Sequence, residues 1–339
     1  MYTILCIMTC RHFLKKNEWI TNVLGLREHK VRSNPLVSVE LTELRKKGIA
    51  AMITHLRLKA YGKINLALDV LGRRDNGYHD VRMIMQTVGL HDRIELYRTK
   101  EPGIRLETNL FYLPNNEQNL AYRAAALLME EFGVKEGVSI KLKKFIPVSA
   151  GMAGGSTDAA AVLFGVNKMF GLGLSIKELM ERGVKLGADI PYCLMRGTAL
   201  SEGIGEELTP LPQIPQCQVL IAKPGISVST AFVYQNLNLS GLAKHPDIDG
   251  MLECLRTKDL KGICDRLENV LETVTIKEYP IIEEVKKHLM DQGAMGALMS
   301  GSGPTIFAIF QDKKTADNAL KSLRSIEDIK QAYVVRPIR

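Results

Sequence analysis

The run Pro147-Val-Ser-Ala-Gly151-Met-Ala-Gly154-Gly155-Ser156-Thr157-Asp158-Ala-Ala-Ala161 joins an alternating segment, Val138-Ser-Ile-Lys-Leu142, to a string of small helix formers. The alternation predicts a strand before the loop, and the alanines predict a helix after it, from about 156 to 169. Glycine admits positive φ and lets a ligand approach the main chain closely. A helix that starts just after such a loop offers unpaired N–H groups and a partial positive charge, which suit a phosphate. The same residues also read as an ordinary glycine-rich turn with Ser156 as helix N-cap. Two commoner phosphate loops are excluded. No Gly-Lys followed by Ser or Thr closes the stretch, so it is not a P-loop. The spacing Gly151-x-x-Gly154-Gly155 breaks the dinucleotide fingerprint, and the charge nearest its acidic position is Lys168.

On the N-terminal side of this loop, residues 56–70 alternate and predict one or two strands broken near Gly62. Arg74-Asp-Asn-Gly77 is a turn. Strands are expected over 94–98 and 104–108, and a helix over 120–132, with Asn119 as N-cap and Gly133 as stop. After the loop, Ser175 caps a helix over 175–186 with Gly187 at its end, and 197–211 reads as a hairpin around Gly203-Ile-Gly205. From Pro212 the pattern is strand (219–222), helices (230–237 and 247–272), an amphipathic helix (280–292) and two strands (297–300 and 305–310). A helix (313–325) and a strand (332–337) follow. That order is ferredoxin-like. The expected organisation is therefore α+β, with domains over 52–211 and 212–339.

At 339 residues the chain is long enough for two cores. Its 46% hydrophobic and 24% charged residues are those of a soluble globular protein. No apolar run approaches the ~18 residues that span a membrane. Six scattered cysteines without a C-x-x-C pair suggest neither zinc nor disulfides, and a reducing cytoplasm follows as the expected location. Of the formal charge of +8, nine Lys or Arg against four acids place +5 in residues 1–51. With no basic stripe interleaved with aromatics elsewhere, a nucleic-acid partner is not expected. Residues 1–51 lack the apolar core and cleavage site of a signal peptide. They are expected to be a basic extension, or to precede the real start at Met52. A monomer and a homodimer both remain open.

Three motifs together resemble those of the GHMP kinases, the group of galactokinase, homoserine kinase, mevalonate kinase and phosphomevalonate kinase. They are Ala60-Tyr-Gly-Lys-Ile-Asn-Leu66, the glycine loop at 147–160 and Gly296-Ala-Leu-Met-Ser-Gly-Ser-Gly-Pro-Thr305. Within the group, Lys63-Ile-Asn65-Leu, Gly77-Tyr78-His79 and Gly187-Ala-Asp189-Ile-Pro191 are most similar to the branch whose acceptor carries a cytidine diphosphate and belongs to non-mevalonate isoprenoid synthesis. The resemblance covers about 52–339. It implies a two-domain GHMP kinase fold, with a ribosomal protein S5 domain 2-like N-terminal domain and a ferredoxin-like C-terminal domain. It also implies ATP with Mg2+ as the phosphoryl donor.

By this resemblance, Pro147, Gly151, Met152, Ala153, Gly154, Gly155, Ser156 and Thr157 surround the ATP phosphates. Asp189 is the base that takes the acceptor proton, and Lys63 is its cationic partner. Read without the resemblance, Asp189 is equally a helix N-cap ahead of Pro191, and Lys63 a solvated strand lysine. Asn65, two residues on, shares a sheet face with Lys63 and is expected to bind substrate. Tyr78 and His79 match the cytidine side, where an aromatic stacks and an imidazole offers a donor and an acceptor. Tyr234 is a second stacking candidate, or a core tyrosine. Ser300, Gly301, Ser302 and Gly303 are expected to close over the site, or to be a plain hairpin turn. Asn109 and Asn119 are weaker candidates for adenine, and Asn269 is expected to be structural. Ser156 and Asp189 are the only plausible protein ligands for Mg2+, so no metal site is assigned. A homoserine or mevalonate kinase, or an inactive ligand-binding protein of this fold, are the rival readings. The Gly-Tyr-His segment argues against the first, and the retention of both Lys63 and Asp189 against the second.

Overall fold

Hydrophobic alternation over the first half of the chain builds one large sheet. The computed structural model describes residues 53–75 and 77–338. The basic segment 1–51 and the start at Met52 lie outside the described residues. Strand β1 (His55–Arg73) pairs antiparallel along its length with β2 (His79–Thr99). The turn predicted at 74–77 joins them, with Gly77 at φ 85° and its N–H bonded to Arg74 O. β1 is a single strand and is not broken at Gly62. The irregularity expected there is a register shift between Tyr61 and Lys63. Residues 62–70 are buried on both faces, which places the polar Lys63, Asn65 and Asp69 inside the molecule among apolar neighbours.

β3 (Gly103–Thr108) and β4 (Gly137–Lys143) extend this sheet, in the order β3-β4-β2-β1. β5 (Thr198–Glu202) pairs with β2, and β6 (Glu207–Leu211) completes the hairpin predicted around Gly203 and Gly205. Helix α1 (Leu120–Glu131) is capped by the Asn119 side chain, as predicted. Helix α2 (Gly154–Phe170) lies on the sheet. A Cβ on its Gly165 would meet Leu96 Cδ1 at 2.3 Å and Leu58 Cδ1 at 2.8 Å, so only glycine permits so close a seat. Helix α3 (Ile176–Gly183) carries the full capping box of Ser175 and Glu178, and α4 (Ile190–Met195) follows.

Four of the remaining strands form a second sheet. β7 (Gln218–Pro224), β9 (Gly296–Met299), β10 (Ile306–Phe310) and β11 (Ile329–Val335) are wholly antiparallel in the order β11-β7-β10-β9, the ferredoxin-like arrangement. Between β7 and β9 run α5 (Thr230–Gln235), α6 (Ile248–Thr257), α7 (Leu260–Cys264), α8 (Glu272–Glu278) and α9 (Ile281–Asp291). Helix α10 (Lys313–Leu323) precedes β11. The helical stretch expected over 247–272 holds two short helices and ends in β8 (Glu268–Asn269), which was not expected. β8 leaves the second half of the chain to pair parallel with β1 at Ala67 and Leu68. Ile64, Leu66 and Ile84 of the large sheet and Ile221, Phe307 and Ile309 of the small one belong to one buried apolar cluster. No helix among the described residues is long and apolar enough to cross a membrane.

Candidate active site

The register shift at Gly62 sets Lys63 and Asn65 on β1 toward the glycine loop. Lys63 N–H donates to Met152 O at 3.2 Å. The buried Lys63 ammonium donates to Asn65 Oδ1 at 2.8 Å and to Gly151 O at 3.2 Å. An ammonium has three N–H donors, so one remains for a third acceptor. Asn65 has no exposed surface, and its amide donates to Met83 Sδ. Its amide oxygen thus holds the Lys63 ammonium, which places Asn65 directly beside that lysine.

The glycine loop is held in unusual backbone conformations. Ser149 and Ala153, neither a glycine, adopt φ of 50° and 55°, and Gly151 adopts 72°. Helix α2 starts at Gly154, two residues earlier than predicted. Its N-cap is Ala153 in the left-handed region, with no side-chain capping bond. The reading of Ser156 as N-cap is thus overturned, because Ser156 is the third residue of the helix. The first three N–H groups of α2, from Gly154, Gly155 and Ser156, have no acceptor within the helix and face the incoming loop. Thr157 departs from expectation. Its N–H bonds Ala153 O and its hydroxyl bonds Tyr61 O, both at distances of 2.8–2.9 Å, so neither is left for a phosphate. Met152 and Pro147 are buried, and the Met152 side chain belongs to the apolar core.

Asp189 occupies the N-cap position of α4, with Pro191 in the first turn, as its alternative reading required. Yet its side chain makes no capping bond and it is only half-buried. A Cβ on neighbouring Gly187 would lie 4.0 Å from Ser156 Oγ, so the start of α2 adjoins the segment that carries Asp189. Cys193, one turn further along α4, senses both proposed partners. Burial first, then the Asp189 carboxylate, push its thiol far up, while Lys63 pulls it down. The Tyr234 phenol is likewise pushed up by burial and then by Asp189. Tyr234 is half-buried, and its ring packs against His79 with centroids 5.0 Å apart. Burial, with Arg73 second, lowers the His79 pKa and favours the neutral ring. Tyr78 is 54% exposed beside it.

The 300–303 segment is packed against the glycine loop. A Cβ on Gly151 would lie 1.9 Å from Ser300 O. Ser300 Oγ donates to Gly151 O at 2.9 Å, and Ser302 Oγ bonds Thr230 Oγ1. Residues 300–303 are all buried, and Asn269 donates to Met299 O and Gly301 O. The segment thus buttresses the glycine loop, and Asn269 holds it in place as a structural residue. Asn109 bonds the main chain of Lys144, and Asn119 caps α1, so both side chains are already committed. Sequence reasoning missed Met83, Cys193 and the buried ion cluster Lys144, Asp92 and Asp158. In that cluster burial raises the Asp158 carboxyl far above the usual range, against the pull of Lys144. Met83 and Cys193 stand in ordinary apolar patterns, and the three ionic residues are scattered along the chain, so no local signal marks them.

A glycine loop leading into a helix, with a strand lysine and a half-buried aspartate beside it, defines a site for moving a phosphoryl group. The GHMP kinases N terminal domain family matches residues 119–197, and the GHMP kinases C terminal family matches 251–327. A 4-diphosphocytidyl-2-C-methyl-D-erythritol kinase of Lachnoclostridium phytofermentans is 56% identical over 83% of this chain and 97% of its own. One from Lachnospira eligens is 54% identical over 82% of this chain and 96% of its own. A crystal structure of 4-(cytidine 5'-diphospho)-2C-methyl-D-erythritol kinase superposes with a TM-score of 0.71 at 31% identity, covering 83% of this chain and 99% of its own. The chain belongs to the 4-diphosphocytidyl-2-C-methyl-D-erythritol kinase family of GHMP kinases. Homoserine kinase from Cytophaga hutchinsonii, at 21% identity and a TM-score of 0.70, shares the fold.

Proposed function

We propose that this kinase transfers the γ-phosphoryl group of ATP to the 2-hydroxyl of 4-diphosphocytidyl-2-C-methyl-D-erythritol, in the cytoplasm, as a step of non-mevalonate isoprenoid synthesis. The observation that carries this is the Lys63 ammonium, tied to both Asn65 and the glycine loop and sharing the field at Cys193 with Asp189. Phosphoryl transfer asks a protein chiefly for positioning and charge stabilisation. The free N–H groups and dipole of α2 receive the phosphates. Asp189 accepts the proton of the attacking hydroxyl, and the remaining Lys63 N–H steadies the developing alkoxide. His79 and Tyr234, with Tyr78 at the rim, take the cytosine. Asp189 and Lys63 are the pair on which turnover depends.

Among the described residues, no cluster of three or more His, Cys, Asp or Glu is placed to hold a metal. That fits a Mg2+ ion bound mainly through phosphates and water, with the Ser156 hydroxyl or the Asp189 carboxylate as its protein neighbour. Such an ion neutralises phosphate charge. The test is ADP release measured with the cytidyl acceptor, mevalonate and homoserine side by side. Turnover with the cytidyl acceptor alone is expected. Turnover with mevalonate or homoserine in its place, or with none of the three, would reassign the chain.

A further inference from the structure

A buried ionic cluster lies under the glycine loop, outside the phosphate-transfer machinery. Lys144 stands three residues before Pro147. Its ammonium donates to Asp92 on β2 and, at 2.6 Å, to Asp158, the fifth residue of α2. The three side chains are 4%, 0% and 3% exposed, so the cluster is out of reach of solvent. The second oxygen of Asp92 accepts the N–H groups of Phe145 and Ile146, the residues that enter the loop. Asn109 clamps Lys144 from the other side, accepting from its N–H and donating to its carbonyl. A Cβ on Gly154 would lie 3.2 Å from Lys144 Nζ, so the ammonium sits directly beneath the first residue of α2. One cluster thus ties the chain entering the loop to the helix leaving it.

Buried ions are not a cheap source of stability, because apolar residues of equal volume commonly do as well. What the cluster does supply is fixed geometry, since loss of any member leaves a buried charge without its partner. The loop it brackets holds two non-glycine residues at positive φ, conformations that persist only when the surroundings over-determine them. We propose that Lys144, Asp92 and Asp158 form an ionic staple that fixes the two ends of the glycine loop and thereby sets the affinity for ATP. This rests on the reading of that loop as the ATP phosphate cradle. None of the three residues acts on the acceptor, so the staple separates the two ligands energetically.

The experiment measures the Kd of a non-hydrolysable ATP analogue, the Kd of the cytidyl acceptor and the melting temperature. It compares wild type with Lys144→Met, Asp158→Ala and Asp158→Asn. A loss of about tenfold or more in analogue affinity, about 1.4 kcal/mol, is expected for Lys144→Met, with acceptor affinity little changed. Asp158→Asn keeps an acceptor oxygen for Lys144 and is expected to bind the analogue more tightly than Asp158→Ala. Equal loss of both ligands, or a lowered melting temperature with analogue affinity intact, would overturn the staple. Should Lys144→Met fail to fold, the two Asp158 variants decide, because they keep the Lys144–Asp92 pair. Equal analogue affinity in those two then rejects the proposal. Wild-type protein that binds no analogue would overturn the kinase reading itself, and the staple's role with it.

Discussion

Asp189 stands where a capping residue stands and does not cap. A carboxylate at a helix N-cap usually spends itself on the N–H groups of the first turn, whereas here it leaves that role open and lies close enough to Tyr234 for its charge to push the phenol pKa up. We expect Asp189→Asn to lower kcat by about 10²–10⁴-fold, the usual scale of general-base effects, while ATP binding persists. Steady-state kinetics beside ATP titration checks this, and near-wild-type kcat would return Asp189 to a structural role. His79 gives a pH signature. Its folded pKa is lowered, so its neutral ring contributes stability above the free imidazole value of about 6.5, and that contribution fades as pH falls through this value toward the lower folded pKa. The acceptor KM should therefore hold steady from about pH 8 down to about 6.5. A rise in KM centred above that point, and abolished by His79→Gln, would show a ring that is protonated earlier than its burial allows.

The start of α2 is where sequence and structure part most instructively. The strand, the loop and the helix were all legible from alternation, glycines and alanines, and so was the phosphate-binding character of the junction. The N-cap was not. A search for capping side chains finds Ser156, but the helix begins on Ala153 in the left-handed region, which no local propensity favours. What overrides propensity is tertiary. Ser300 presses on Gly151, and Asp92 holds the residues that enter the loop. The Thr157 hydroxyl is drawn to the main chain for the same reason, since its partner Tyr61 lies 96 residues away. Gly151 gives the direct check at this scale. Alanine there meets Ser300 O at 1.9 Å with φ at 72°. We expect Gly151→Ala to cost about 2 kcal/mol or more in thermal unfolding and to weaken ATP binding. An unchanged melting temperature would mean that the 300–303 segment is free to retreat.

The candidate site draws on residues that the sequence holds far apart. Lys63 and His79 come from the first hairpin, Asp189 from a short helix after the glycine loop, and Tyr234 from the second half of the chain. Motif spacing indicated which residues belong together, but not how. The β8 strand pairing back to β1 and the buried seat of 300–303 depend on packing that no local pattern announces. Every site residue lies within 63–303, so a chain beginning at Met52 should keep the kcat/KM of the full one. Kinetics on the two forms side by side checks this, and a large loss would give residues 1–51 a role in catalysis. The buried thiols should be equally silent. Burial pushes Cys217 and Cys264 up to about 12 and Cys193 higher still, and the thiolate is the reactive form. Iodoacetamide at neutral pH should leave activity intact, and loss of activity that ATP prevents would place an accessible thiol at the site. This constellation is proposed to phosphorylate one hydroxyl of a cytidine-linked tetritol, and phosphorus NMR of the protein with ATP and 4-diphosphocytidyl-2-C-methyl-D-erythritol decides it. A new phosphomonoester on the 2-hydroxyl with stoichiometric ADP is expected, and ATP that stays intact, or a phosphate on any other position, would refute the proposed reaction.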